Sequence, residues 1–294
     1  MSQPISNLAV GALVSVPVNT AHQSRWGSKI VFKIADKNHA GYPANSVTLI
    51  TDKIIQLMAF DGAEPTNPNT DRKSYGNNRY LHSNIAQWLN SNAGASAWYS
   101  AQHTYDAPPI LPNTYSNPYD SWAGFLQLFS ADFVSALMTT SLITARNINT
   151  DGGGSETVTG KFFLASNTEV GVANENNVAE GYLLAIFTSE NNTRLAYPTP
   201  ECVSNGDFTS SVFKTDASWS WWIRTPFYNK AQQQNMVSAT GTKSSITANA
   251  SSYGLRPLCN VPSTLLVSSA LGGDGAYTME FSSPQHIPFA MKPL

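Results

Sequence analysis

Charged side chains are scarce in this chain. Asp, Glu, Lys and Arg make up 12% of its 294 residues, whereas a typical globular domain has about 25%. The formal net charge is −2, and no run of Lys or Arg occurs. Nucleic acids and anionic membrane surfaces are bound through clustered positive charge. The composition therefore predicts that neither a nucleic acid nor a membrane is a partner.

Cysteine and long apolar segments are scarce as well. The two cysteines, Cys202 and Cys259, show none of the Cys/His spacings that predict a zinc site. A disulfide between them stays open, and two free thiols are the favoured interpretation. No apolar run approaches the length of a transmembrane helix. The segment Met1–Pro4 has no basic start followed by apolar residues, so we expect no signal peptide.

Recognisable catalytic motifs are missing from the sequence. The run Gly152–Gly154 is not followed by the Gly-Lys-Ser/Thr of a phosphate-binding loop, and no nucleophile-elbow motif occurs. The segment Asn174–Asn177 and Glu180 offer oxygen atoms to calcium, but dense carboxylates are lacking and a hydrogen-bonded loop is favoured. We therefore expect no catalytic residue, no bound metal and no cofactor.

What the chain does contain is enough apolar sequence for a core, since 41% of its residues are hydrophobic. Alternating apolar residues predict many short strands. Apolar residues at helical spacing predict short helices over 83–91 and 125–137, and Ser83 would cap the first of them. Strands and helices do not alternate as βαβ units, so the pattern predicts the α+β class.

Domain organisation follows from the distribution of these patterns. No internal repeat and no linker divides residues 1–262, which predicts one domain over this range. Residues 263–294 differ, because a glycine-rich turn is followed by three prolines and an apolar end. An isolated tail of this kind would expose apolar surface. We expect an appended arm, used for attachment or oligomerisation, whose last residues 284–294 dock on a neighbouring subunit or on the domain itself.

The most informative segment is Ser218–Asn260, which opens with Trp219, Trp221 and Trp222. Large apolar residues then alternate with runs rich in Tyr, Asn, Gln and Ser, which supply rigid contact area and adaptable hydrogen bonds at recognition surfaces. The alternatives are a core position for each tryptophan and an ordinary solvated loop for each polar run. The predicted ligand-binding residues are Trp219, Trp221, Tyr228, Asn229, Gln232, Gln233, Gln234, Asn235, Lys243, Ser245 and Tyr253.

Two arginines, Arg224 and Arg256, lie within apolar strand patterns of the same segment. A charged group in such a strand requires a partner when it is buried. We therefore favour structural ion pairs over ligand anchors, with Glu169 or Glu180 as candidate partners, and we expect at least one of the two arginines to be buried and paired with a carboxylate. Ser166 and Glu169 also match the spacing of a capping box.

Several segments together resemble one known family. These segments are Pro4–Gly11, Asp36–Pro43, Asp71–Tyr80, Gln87–Asn90, Phe162–Gly171, Trp221–Pro226 and Gly254–Pro257. Their order and spacing are similar to a domain of unknown function in prophage minor structural and tail-fibre genes of Gram-positive bacteria. The resemblance covers about residues 1–262. It implies the C-type-lectin-like fold of formylglycine-generating enzymes, which phage receptor-binding tips also use.

This resemblance sets the functional expectation. The enzymes of that fold use a closely arranged cysteine pair, which Cys202 and Cys259 do not match, so we expect no enzyme. We expect a virion surface protein of the tail-fibre or tail-tip type that binds a host glycan or envelope protein. It would be a homo-oligomer, made in the host cytoplasm and bound to other virion subunits.

The alternative is a purely structural capsid or tail decoration protein that binds only virion subunits. An exposed concavity with aromatic and polar residues would favour the receptor-binding function, whereas a flat apolar patch near the C-terminal arm would favour decoration.

Overall fold

The computed structural model describes residues 2–208 and 210–281. They form a mixed fold that is rich in sheet and has few helices, which agrees with the predicted class. The strands are β1 (Ser2–Pro4), β2 (Leu13–Pro17), β3 (Lys29–Lys37), β4 (Ser46–Thr51), β5 (Gln56–Leu57), β6 (Thr140–Ala145), β7 (Ser155–Gly160), β8 (Phe162–Phe163), β9 (Trp221–Pro226), β10 (Gln233–Val237), β11 (Lys243–Thr247), β12 (Gly254–Leu255), β13 (Leu258–Pro262), β14 (Leu266–Ser268) and β15 (Tyr277–Glu280).

The helices are short. They are α1 (Gln23–Trp26), α2 (Thr70–Tyr75), α3 (Asn84–Leu89), α4 (Ala131–Ala136) and α5 (Pro200–Asn205), with single 3₁₀ turns at Ile5–Asn7, Thr20–His22, Tyr80–His82, Phe125–Leu128 and Asn191–Arg194. Within the described part of the chain, none of the helices combines the length and the hydropathy needed to cross a membrane.

The strands form two sheets and a separate hairpin. The large sheet has the order β1-β14-β15-β2-β3-β4-β13-β8, and the smaller sheet has the order β11-β10-β9-β12-β5. The hairpin consists of β6 and β7. A single apolar cluster joins the sheets, since it contains Phe32 of β3 as well as Trp221 and Trp222 of β9. The two tryptophans both belong to the core, although neighbouring strand residues point to opposite faces.

Residues 263–281 are not an appended arm, which corrects the predicted boundary at 262. Strand β14 pairs antiparallel with β1, so that Ser2 lies opposite Ser268. Strand β15 pairs antiparallel with β14 and parallel with β2. These two strands are too short to give a sequence signal of their own, and they join the large sheet through β1 and β2, which lie more than 250 positions away. The predicted docking of residues 284–294 lies outside the described residues.

The two predicted helices had different outcomes. The helix after Ser83 is confirmed as α3, and the Ser83 hydroxyl accepts a hydrogen bond from the N–H of Ala86 at 3.3 Å. The helix over 125–137 is wrong in its extent, because the backbone is extended at Phe129 and α4 begins after Ser130. Ser130 provides an N-cap in the middle of the predicted helix, and the Phe129 ring packs into an aromatic cluster with Phe133.

Both cysteines are buried free thiols, as the sequence interpretation favoured. Burial raises the pKa of Cys202 and of Cys259. Because the thiolate is the reactive form of cysteine, these environments suppress the reactivity of both residues.

Candidate functional site

A buried ion pair connects the smaller sheet to the segment after β8. The Arg224 guanidinium on β9 donates to both carboxylate oxygens of Glu169, with an Nη1–Oε2 distance of 2.6 Å and an Nη2–Oε1 distance of 2.8 Å. Both side chains are almost completely buried. Burial alone would lower the pKa of Arg224, but the Glu169 carboxylate raises it above its ordinary value. The predicted structural pair is therefore confirmed for Arg224.

The position of Glu169 is fixed by the residues around it. The Ser166 N–H donates to Glu169 Oε2 at 2.9 Å, and the Ser166 hydroxyl accepts from the N–H of Glu169 at 3.1 Å. These are the reciprocal bonds of a capping box, although the chain forms a turn here instead of a helix. The Tyr42 hydroxyl adds a third donor to the carboxylate, at 2.8 Å from Oε1.

Glu180 is buried next to this pair and does not contact an arginine side chain through its carboxylate. It accepts hydrogen bonds from the Ala145 N–H at 2.9 Å, from the Thr225 hydroxyl at 2.7 Å and from the Asn174 amide at 3.0 Å. Burial raises the pKa of Glu180, while Arg224 acts in the opposite direction.

The segment 174–177 that was considered for calcium is a hydrogen-bonded loop. The Asn174 amide donates to the carbonyl oxygen of Val178 at 2.7 Å as well as to Glu180. In residues 2–208 and 210–281, no group of three or more His, Cys, Asp or Glu side chains is arranged to hold a metal ion.

Arg256 is buried without an acidic partner among the described residues, so the predicted ion pair is wrong for this residue. Its Nε donates to the carbonyl oxygen of Thr51 at 2.9 Å, and its guanidinium lies 5.1 Å from the centre of the Trp221 ring. Burial lowers the pKa of Arg256 to about 10. Backbone carbonyls and an indole face, which carry no sequence signature, replace the carboxylate that the sequence led us to expect.

A cleft of about 270 Å³ lies beside the Arg224–Glu169 pair, and we call it the Tyr182 cleft. Its floor contains the buried pair and Tyr42. Its rim contains Tyr182 and Ile143, whose side chains are 62% and 43% exposed. The lining residues are Ala40, Gly41, Tyr42, Ser141, Leu142, Ile143, Glu169, Ala179, Gly181, Tyr182 and Arg224.

Local structure explains how these side chains reach the rim. Strand β6 alternates, so Ser141 and Ile143 are exposed while Leu142 between them is buried. Gly181 has a φ of +92°, and a Cβ atom there would lie 2.7 Å from Glu169 Oε1. The backbone can therefore pass close to the carboxylate only with glycine at this position, and it then places Tyr182 at the rim.

Several predicted ligand-binding residues are buried, so the prediction of an exposed recognition surface is wrong for them. Trp221 packs in the core and its Nε1 donates to the carbonyl oxygen of Arg194 at 3.0 Å. Gln234 donates to the carbonyl oxygen of Thr225 at 3.0 Å, across to the neighbouring strand. Asn235 donates to Glu175 at 3.0 Å. Gln232 is also buried. Their amide groups hold the sheet and adjoining loops together.

The remaining predicted residues are half-buried, and a binding role for them stays a prediction. They are Trp219, Tyr228, Asn229, Gln233, Lys243, Ser245 and Tyr253. Trp219 packs against Phe213 with ring centres 5.0 Å apart, and its Nε1 donates to the carbonyl oxygen of Ser252 at 2.8 Å. Lys243 pairs with Glu175. These contacts tie both side chains to the scaffold, so both are less available for binding than the sequence suggested.

Sequence reasoning missed Tyr182, Ile143, Ser141 and Tyr42 as site residues. They come from three separate segments, and only the fold brings them together. One sequence signal could have identified Tyr182. Two large residues, Tyr182 and Leu183, directly follow Gly181 in a segment that shows no clear helix or strand periodicity.

A second group of ionisable residues lies near α3. Asp61 is buried and accepts the N–H groups of Asn77 and Asn84 at 2.9 Å each. Burial raises the pKa of Asp61 well above its usual range, and the nearby Glu64 adds to this. His103 stacks on His82 with ring centres 4.9 Å apart, and its Nε2 lies 2.9 Å from Glu64 Oε1.

This environment predicts a pH-dependent contribution of His82 to stability. Burial, Arg79 and His103 lower the pKa of His82 from 6.5 to about 4. The unfolded chain therefore binds the proton more tightly, so the contribution is fully present above about pH 6.5 and is lost as the pH falls towards 4. Urea unfolding at several pH values should show a weaker pH dependence for His82→Gln than for wild type over this window. Parallel curves would contradict the assignment.

Comparison with known proteins gives one match. Residues 45–263 match the model of a family described as a domain of unknown function, DUF6273. No curated protein and no solved structure matches the chain. The family match includes β4 to β13, with Glu169, Tyr182 and Arg224 of the Tyr182 cleft, and it spans most of the sequence. The chain therefore belongs to the DUF6273 family.

Proposed function

We propose that the chain is a virion surface protein of a phage or phage-derived particle, of the tail-fibre or tail-tip type, with a C-type-lectin-like fold. In this proposal it binds a host cell-surface glycan or envelope protein without catalysis, and its other partners are virion subunits. The single observation that carries the proposal is the Tyr182 cleft, in which an exposed aromatic rim lies beside a fixed polar floor.

The architecture of this cleft is typical of a binding site. Ligand sites combine apolar and aromatic lining with a few polar groups held in place by their surroundings. Here the polar groups are held by at least six hydrogen bonds to Glu169 and Arg224, which involve Ser166, Tyr42 and Leu164 as well as the pair itself. In the free protein the Tyr182 ring exposes apolar surface to water, which is unfavourable. Contact with a ligand would remove this surface from water.

The same rigidity argues against catalysis at the cleft. A general acid or base needs an accessible proton and a pKa near the working pH. The carboxylate of Glu169 is engaged by Arg224 and Tyr42, and burial raises the pKa of the Tyr42 hydroxyl. The cysteine chemistry of formylglycine-generating enzymes also lacks support, because Cys202 and Cys259 are separately buried thiols.

The decoration alternative is supported by a different feature. A groove of about 380 Å³ is lined by Leu265, Leu266 and Phe281 together with polar residues such as Asp132 and Glu280. A groove with this mixed lining suits contact with a neighbouring virion subunit, because such interfaces combine apolar and polar residues.

Adsorption of particles to host cells distinguishes the two functions. We expect particles that carry Tyr182→Ala to adsorb more slowly, because the exposed ring is lost from the rim while the core is untouched. The matched control is Tyr115→Ala, since Tyr115 is 63% exposed and does not line the cleft. Normal adsorption of Tyr182→Ala particles would contradict the proposal.

Two further outcomes of this experiment have distinct meanings. If Tyr228→Ala combined with Tyr253→Ala slows adsorption while Tyr182→Ala does not, receptor binding occurs at the surface around Tyr228 and Tyr253 and not at the cleft. If none of these variants changes adsorption, and electron microscopy places the chain inside subunit contacts, the decoration function is correct.

A further inference from the structure

We propose that the Tyr182 cleft binds one uncharged saccharide ring. This inference rests on the proposed function, because it takes the cleft as the binding site and assigns the chemical class of its ligand. Three features of the cleft support it, namely its size, the balance of charge in its floor, and the combination of an aromatic face with polar groups.

The size of the cleft limits the ligand to a small group. Pockets for drug-sized ligands have volumes of roughly 300–1,000 Å³, and the Tyr182 cleft has about 270 Å³. A single six-membered ring with its substituents therefore fits, whereas a multi-residue segment of a protein partner would have to extend over the rim.

The charges of the floor exclude a charged ligand. Arg224 and Glu169 are the charged residues that line the cleft, and they neutralise each other through two hydrogen bonds. Nearby, His39 Nδ1 lies 2.7 Å from Asp36 Oδ2 and the Ala185 N–H donates to the same oxygen at 3.1 Å, so hydrogen bonds within the protein already engage this carboxylate oxygen. A ligand carboxylate or ammonium group would lose its hydration without gaining a free counter-charge, which is costly.

Polar groups in the cleft favour a ligand that carries hydroxyls. Ser141 presents an exposed hydroxyl, and the Tyr42 oxygen can accept a hydrogen bond because its proton is donated to Glu169. An apolar side chain of a protein partner would cover these groups without bonding to them, at a free-energy cost.

The rim completes the match to a sugar. A saccharide ring has one face of C–H groups and an edge of hydroxyls, and the C–H face packs against an aromatic ring. Tyr182 offers such a ring with most of its surface exposed, and Ile143 offers an aliphatic contact beside it. An uncharged saccharide thus satisfies the apolar rim and the polar floor together, which neither a purely apolar group nor an ion does.

Saturation-transfer NMR with the purified full chain tests this inference. The neutral probes are the methyl glycosides of glucose, galactose, mannose and N-acetylglucosamine, and the acidic probes are N-acetylneuraminic acid and glucuronic acid. We expect at least one neutral probe to bind and both acidic probes to give no signal. Tyr182→Ala should weaken neutral-probe binding by roughly tenfold, as expected for the loss of a major aromatic contact, whereas Tyr115→Ala should leave it unchanged.

Three results would overturn the saccharide inference: no neutral probe binds, an acidic probe binds at least as well, or Tyr182→Ala binds like wild type. These results are separable from the adsorption experiment. Slow adsorption of Tyr182→Ala particles without saccharide binding would leave the cleft as a receptor site for another ligand. Saccharide binding at the cleft with normal adsorption would support the ligand class and overturn the proposed receptor function.

Discussion

Glu169→Gln is expected to lower the free energy of unfolding by about 3–5 kcal/mol, because it leaves the Arg224 guanidinium charged and buried without a counter-charge. The change keeps the size of the side chain and one carbonyl oxygen, so the loss reports the charge and not a cavity. Urea unfolding at neutral pH measures it. The effect should be several times larger than the removal of any exposed charge.

Two companion variants sharpen this experiment. Asp216 and Lys214 form an exposed pair at 3.3 Å, and Asp216→Asn should change the free energy of unfolding by less than about 1 kcal/mol. Combining Glu169→Gln with Arg224→Met removes the unpaired charge, so the double variant should be more stable than Glu169→Gln alone. If Glu169→Gln costs no more than Asp216→Asn, the buried pair does not have the structural role assigned to it.

The second large effect is expected at Gly241, where the backbone has a φ of +78°. A Cβ atom at this position would overlap the carbonyl group of Asn191, and the Gly241 carbonyl accepts a hydrogen bond from Arg194 Nε at 2.7 Å. Gly241→Ala must therefore separate two backbone segments that Arg194 holds together. We expect a loss of about 2–5 kcal/mol from left-handed strain and overpacking combined.

Gly11→Ala is the matched control for this variant. Gly11 has a φ of +88°, and a Cβ atom there would meet no atom within 4 Å. Gly11→Ala should therefore lower the free energy of unfolding only through conformational strain, by about 1–2 kcal/mol. The difference between the two variants in urea unfolding isolates the contribution of the close approach to Asn191. Equal losses at both glycines would show that this approach is not tight.

Features that depend on neighbouring residues could be predicted from the sequence. Short strands such as β4 were expected from the apolar patterns, and α3 begins at its serine cap. An acidic partner for Arg224 was also predictable, because a charge in an apolar strand needs a carboxylate, and the structure selects Glu169 from the two candidates. In each case the relevant signal lies in a short segment or follows from the scarcity of charge.

Features that depend on distant contacts could not be predicted. The Arg256 side chain donates to the backbone carbonyls of Thr51 and Asp52, and every residue has such a carbonyl. The Tyr182 cleft combines side chains from β6, from the turn after β3 and from the segment around Gly181, and no spacing in the sequence relates them. The sequence does not reveal whether the amides of Gln234 and Asn235 lie in an exposed recognition loop or in a buried sheet. Only the fold shows that they are buried.

The pairing of the large sheet has a consequence for how the chain folds. Strand β4 lies between β3 and β13, so Thr48 is opposite Asn260, and β1 is opposite β14. Contacts between residues so far apart in sequence carry a high loop-closure entropy and slow the folding of a domain. On the ribosome, the first strands must wait for nearly the whole of the described chain before their sheet can be completed. We therefore expect correct folding to require that the growing chain does not aggregate before β15 has been synthesised.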